Sequence, residues 1–390
     1  MAALMVPVTF GGMAISIDVG VQTVARAQLM TAADAAALAG ATQLANDLRI
    51  SPIYTGMPGD VANAQSQATL FAQSNMVLGA TPVVLSNSGN SSTGDIVVGY
   101  TDPTVSGSPF TTAVPSTMYN TVKATVFRDV NHGSPIPGFF GAVLGHKNTS
   151  SSFTSYARME SYNGVISGFQ PIPGVAFASQ PNSNLLPIVL YVDAYNAMIA
   201  GATTDKYTYD PATNTVSSGP DGIFESPLYP IRSGDPGNWG TIKVGVSNNS
   251  TSTLVSQILY GITPTQLATF PNSTIQLDYT QTPPQITFSG NPGISAGIKD
   301  ALTSIIGKPV TIPIYDQTDG NGNNAWYRVI KFAPVRILAV NFQGNPKDVT
   351  IQPAFVNDPT AIPPPASYPP PLPPQGGMSN GGLLRIHLIR

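Results

Sequence analysis

MAALMVPVTFGGMAISIDVG (1–20) runs without a break into VQTVARAQLMTAADAAALAGATQLANDL (21–48), and the reading of this stretch decides the rest. Met1 to Ile17 carries no ionisable side chain; Asp18 is the first acid and Arg26 the first base. Seventeen helical residues span about 26 Å, slightly short of a ~30 Å hydrocarbon core. The run predicts a transmembrane or partner-buried helix over 1–24, with Leu4, Val6, Phe10, Ile15 and Ile17 as apolar contacts. Asp18 falls at its end, where an interfacial, solvated carboxylate is expected. Pro7 is compatible with a membrane span. No basic n-region precedes the run and no small-residue cleavage site follows, so it does not read as a secretory signal. An upstream flank is therefore expected to be missing from the sequence.

Residues 25–48 are helical on propensity, being rich in Ala, Leu, Met, Gln and Arg. Leu29, Ala33, Ala36, Ala37, Leu44 and Leu48 recur near a period of 3.6, and Leu29, Leu38 and Leu44 are the expected larger contacts to membrane or partner helices. Small residues on most of the surface allow close helix approach from more than one side. After Pro52, Pro58 and Gly59, a second helix is expected over 60–75, with Val61, Ala64, Ala68 and Phe71 on one face. Residues 25–78 thus read as a helical stalk.

Composition narrows the function classes. Charged residues make up 9% of the 390, against a usual ~25%. The formal net charge is −3 and no Lys/Arg cluster occurs, so nucleic-acid binding has no electrostatic basis. The absence of cysteine excludes disulfides, thiolate metal sites and cysteine nucleophiles.

The string IDVGVQTVARAQLMTAADAAALAGA (17–41) resembles the N-terminal domain of Tad (tight-adherence) Flp-pilus-assembly proteins of the TadG-like type. There an apolar helix ends in an Asp and runs into an RxQLQxAADAAALAGA-like stretch. DIVVGY (95–100), TVKATVFRD (121–129) and PIPGFFGAVLGHKNTSSSFTSYARM (135–159) are more loosely similar to segments that follow in such proteins. SSGPDGIFESPLYP, PGNWGTIKVG, GISAGIKDALTSIIGKP and GNNAWYRVIKFAPVRILAV resemble the C-terminal region of large Tad-like proteins of the planctomycete type. The resemblance implies a non-enzymatic, envelope-anchored component of a Flp-type pilus or adhesion system, located at the bacterial cell envelope with an extracytoplasmic body. Its implied partners are the membrane or other pilus subunits, with self-association possible. Two departures stand out: no DxSxS metal motif of a von Willebrand A-like domain is present, and Met5 stands where processed pilins carry a Glu.

From about residue 80, short runs of Val, Ile, Thr, Tyr and Phe alternate with Gly, Pro, Asn and Ser clusters. The expected class is α+β: a long N-terminal helix, then a β-rich body with a few short helices. Strands are expected at 94–100, 121–128, 152–160, 186–193, 241–246, 274–279, 285–288, 309–315, 326–332, 335–343 and 348–352. Helices are expected at 193–200, 251–260, 264–269 and 295–306. A Tad-like β-rich domain at 79–165 and a second α+β domain at 166–358 follow from the loss of periodicity near 164–174. PTAIPPPASYPPPLPP lies within a 359–377 linker that favours polyproline II, and 378–390 reads as a returning strand.

Chemical motifs are sparse. Gly293-Ile-Ser295-Ala-Gly297 matches GxSxG, with Asp316, Asp348 and His387 following in hydrolase order. No βαβ run precedes it, and Ser295 is better explained as a helix N-cap. DQTDGNGNN (316–324) resembles a calcium loop in part, yet Asn324 and Ile330 occupy the places of its Gly and Glu. An Asn/Gly turn between strands accounts for it. His132, His146 and His387 lack metal-ligand spacing. No catalytic, cofactor-binding or metal residue is therefore nominated and no cofactor is expected. The alternatives are a filament subunit polymerising through residues 1–48 and a secreted serine hydrolase using Ser295.

Overall fold

The computed structural model describes residues 2–51, 58–103, 105–138, 140, 147–163, 166–211, 213–229, 240–292, 296–320, 324–342, 348–365 and 381–389, the side chains of 2–15, 48, 58, 161–163, 229, 291–292 and 348 excepted. The chain is an N-terminal helix followed by a β-rich body with several short helices. It divides into two compact units: Met1–Ala45, Thr55–Glu160 and Arg385–Arg390 in the first, and Asn46–Tyr54 with Ser161–Leu384 in the second.

In the first unit, helix α1 (Ala2–Thr42) packs on helix α2 (Pro58–Ser74) and on a sheet. Strands Ile96–Gly99, Thr121–Arg128 and Ser151–Asn163 lie side by side in that order, with Arg385 onward next to the last. The alanines do the packing. Ala25, Leu29, Ala32, Ala33, Ala36, Ala37 and Ala41 are fully buried, as are Ala64, Ala68 and Ala72 of α2. Side chains this small bring the helices close. A Cβ added at Gly40 would stand 3.0 Å from the Ala64 carbonyl oxygen and 3.0 Å from Val122 Cγ1, so glycine is the residue that fits there. Two polar ties fix the register: Leu78 N–H donates to Gln28 Oε1 (2.7 Å), and Ser155 Oγ donates to Asp34 Oδ1 (2.5 Å).

The helix ends before the expected residue 48. Gln43, Leu44 and Ala45 donate to Gly40, Ala41 and Thr42 in tight turns, and Asp47–Ile50 forms a separate 3-10 turn. The physical reason is tertiary. The Asp47 carboxylate is bound by the Arg336 guanidinium and by the Phe355 N–H at 3.0 Å, all within the second unit. Arg336 also donates to the Gly307 carbonyl and lies 3.6 Å over the Tyr209 ring.

The second unit is built on a seven-stranded sheet in the order Ser226–Tyr229, Asp348–Pro353, Ala325–Asn341, Ile286–Pro292, Gly240–Ile242, with Pro309–Asp319 against Ala325–Asn341 and Leu190–Tyr191 parallel to it. Two clusters of buried side chains fill it. One joins Ile312, Ile314, Val335 and Ile351 to Tyr195, Leu254, Ile258 and Leu302 of the short helices. The other gathers Phe169, Ile242, Phe288, Tyr327 and Phe332. Glu225 is buried here, accepting from the N–H of Lys206 (2.8 Å) and Tyr207 (2.7 Å).

The strands expected separately at 326–332 and 335–343 are one, Ala325–Asn341. Pro334 does not break it, although proline removes a ladder donor. On one edge the pairing with Ile286–Pro292 stops at Val329; that with Asp348–Pro353 starts only at Val335. The missing N–H thus falls where one neighbour has ended and the next has not begun. The strand expected at 186–193 is shortened to Leu190–Tyr191 because Val192–Ile199 turns helical, burying Tyr195 and Met198. The expected membrane-spanning segment is not borne out: among the described residues no helix is long and apolar enough to cross a membrane.

Candidate interaction helix

α1 changes character at Ala25. From there on one face is buried in the first unit; before it, residues 16, 17, 19, 20 and 22–24 are all exposed. Ile17 is 49% exposed, Val19 55% and Val24 49%, values that a soluble surface helix reserves for polar residues. Helical continuity comes from the Ala-rich stretch downstream, since a fixed turn propagates at little cost once nucleated. Thr23 helps by donating to the Val19 carbonyl (2.9 Å).

The residues expected on this surface divide into three groups. Leu4, Val6, Phe10 and Ile15 lie on α1, but their side chains are outside the described residues. Ile17 is exposed, and Asp18 is half-buried rather than solvated. The Asp18 carboxylate accepts the Phe140 N–H, at 3.2 Å from Oδ2 and 3.4 Å from Oδ1. Leu29 and Leu44 are fully buried within the unit, and Leu38 is half-buried. Sequence reading missed three exposed apolar residues nearby, Leu70, Phe71 and Met76, at 54%, 45% and 63%. Phe71, expected on one face of α2 with Val61, Ala64 and Ala68, is exposed where both alanines are fully buried.

Among the described residues, side chains of the chemical motifs are engaged in other contacts. Gly293, Ile294 and Ser295 lie outside the described residues. The helical segment that follows runs from the 3-10 turn Ala296–Ile298 into Lys299–Ser304, and the cap expected of Ser295 lies outside the described residues. Asp316 is held by Arg328 through two bonds of 2.7 and 2.5 Å. His387 Nε2 stands 3.5 Å from Glu160 Oε1. Of the loop read against calcium, residues 321–323 are outside the description, and Asp319 Oδ1 accepts the Gly320 N–H at 2.7 Å. Among the described residues no group of three or more His, Asp or Glu is placed to hold a metal.

The helix with the exposed apolar half is also where similarity to known proteins falls. Residues 1–43 match the model of the Tad family, putative Flp pilus-assembly TadE/G-like. The Tad segment thus ends one residue beyond Thr42, the last residue of α1. It associates the chain with Flp/Tad pili and with the cell envelope. The looser similarities read beyond residue 43 are not covered by the match. No curated protein and no solved structure matches the chain.

Proposed function

We propose that the protein is a non-enzymatic, envelope-held component of a Flp/Tad-type pilus or adhesion system, attached through the N-terminal part of α1. The observation that carries this reading is the coincidence of the Tad segment with a helix that is built into a folded body from Ala25 onward and exposes Ile17, Val19 and Val24 before it. Residues 25–42 anchor the helix rigidly in the first unit. Ahead of them Ile17, Val19 and Val24 are exposed, residues 1–17 carry no charge, and exposed apolar surface of this kind marks an interaction site. Helices of other pilus components are its partners, since the small and aliphatic residues there suit close helix packing.

Fractionation of the host tests this. The intact protein is expected in the envelope pool together with Flp/Tad components, and a chain lacking residues 2–17 is expected in the soluble pool. Recovery of both forms from the soluble pool would sink the proposal. Abundant protein in the sheared-surface pool would instead make the chain a filament subunit.

A further inference from the structure

We propose that the loop 172–180 of the second unit inserts its tip into an uncharged lipid surface. Gly174, Val175, Ala176, Phe177 and Ala178 are five consecutive exposed residues without a polar side chain. Phe177 is 58% exposed and Val175 38%. One exposed phenylalanine needs no explanation, but here every neighbour in the run is apolar as well. A Cβ added at Gly174 would meet nothing within 4 Å, so that turn stands in open space.

The loop holds its own shape. Gln180 spans its base: Nε2 donates to the carbonyls of Ile172 (2.8 Å) and Val175 (2.9 Å), and Oε1 accepts the Ile172 N–H at 2.7 Å. Further in, Val175 N–H donates to the Ile172 carbonyl (3.3 Å), Ser179 N–H to that of Ala176 (2.8 Å) and Gln180 N–H to that of Phe177 (3.3 Å), which closes the 3-10 turn Phe177–Ser179. Pro171, Pro173 and Pro181 bring no N–H at all. Unpaired backbone is what makes an irregular segment costly in lipid, and these bonds and prolines remove much of it. A loop already fixed in this way loses little entropy on docking.

Charge and shape select the occupant. No Asp, Glu, Lys, Arg or His stands between Glu160 and Asp193, and none between Lys243 and Asp278. The second of these stretches meets the foot of the loop, where Asn182 Nδ2 donates to the Tyr260 carbonyl at 2.8 Å. Tyr260 is 68% exposed and adds an amphipathic ring of the kind that settles at headgroup level. Tip and foot thus bring no ion that the lipid would have to desolvate. They also bring no cation to attract anionic headgroups, so the surface they fit is a neutral one. A protein partner would need a pocket cut to a projecting apolar tip, whereas a lipid interface moulds itself around one, and binding there scales with the apolar area buried. The inference does not depend on how α1 is attached.

The chain has no cysteine, so one introduced residue labels a single position. Ala176→Cys at the tip and Ser217→Cys on the exposed strand Thr215–Ser218 of the same unit each carry an environment-sensitive fluorophore in the full chain, mixed with excess phosphatidylcholine vesicles. Emission from position 176 is expected to rise at least twofold and shift to the blue, and that from position 217 to stay as in water. Added phosphatidylglycerol or salt is expected to change neither. Phe177→Asp, at a position more than half exposed, is expected to abolish the response at 176 with the thermal midpoint unchanged. Deleting residues 2–17 is expected to leave that response in place, which keeps the outcome separate from attachment through α1. No response at 176 on lipid alone, as a site for a protein would give, would overturn the assignment. So would an equal response at 217, dependence on phosphatidylglycerol, indifference to Phe177→Asp, or loss of the response with residues 2–17.

Discussion

Asp47 and Arg336 form an ion pair that is almost wholly withdrawn from water, with side chains 9% and 6% exposed. Removing one member strands the other, which costs about 3–5 kcal/mol, whereas replacing both by apolar residues is close to neutral. Asp47→Ala is therefore expected to lower stability by that amount in urea titration, and Asp47→Leu with Arg336→Met to recover most of it. Glu225 behaves differently. Burial pushes its carboxyl above the ordinary glutamate value, with the charges of Asp205 and Asp221 adding to the rise and the N–H groups of Lys206 and Tyr207 opposing it. An acid that holds its proton more tightly folded than unfolded contributes stability below its unfolded pKa. That contribution is lost as pH rises through the folded value. Relative to Glu225→Gln, the wild type is thus expected to lose stability as pH rises above the ordinary glutamate value, and paired denaturation curves at several pH values would reveal it. A difference independent of pH would refute the assignment.

α1 carries two kinds of surface, and substitutions should separate them. Gly40→Leu forces a side chain against Ala64, Ala68 and Val122; overpacking of this kind costs about 1–3 kcal/mol. Leu29→Ala empties a fully buried position at about 2–5 kcal/mol. Both effects are read from the thermal midpoint. By contrast Ile17→Asp and Val24→Asp, on the exposed half, are expected to change stability by less than about 0.5 kcal/mol. They should nevertheless release the protein from the envelope pool. The alanine and leucine spacing made α1 and α2 legible, and the β-branched runs made several strands legible nearly to the residue, as at Thr121–Arg128. What spacing could not show was which face meets which neighbour. Leu29 and Leu44 look alike in sequence to Ile17 but turn inward. Pro334 reads as a strand break until its position between two pairing partners is known.

For the whole molecule, the division into two units is not a division of the sequence into two pieces. Asn46–Tyr54 leaves the first unit for the second and returns, and Arg385–Arg390 comes back after Ser161–Leu384. A chain stopped after Leu384 is expected to lose hydrogen-exchange protection in residues 151–160, beside which those residues lie, while residues 325–337 in the second unit stay protected. Equal loss in both would show that the units fold as one. The same threading separates the order of synthesis from the order of folding. A ribosome delivers α1 first, yet the sheet that α1 covers gains its final strand only after the entire second unit has emerged. Until then Ser151–Asn163 lacks the neighbour that the chain from Arg385 onward supplies. Its locked form arises late, once translation has gone past residue 385.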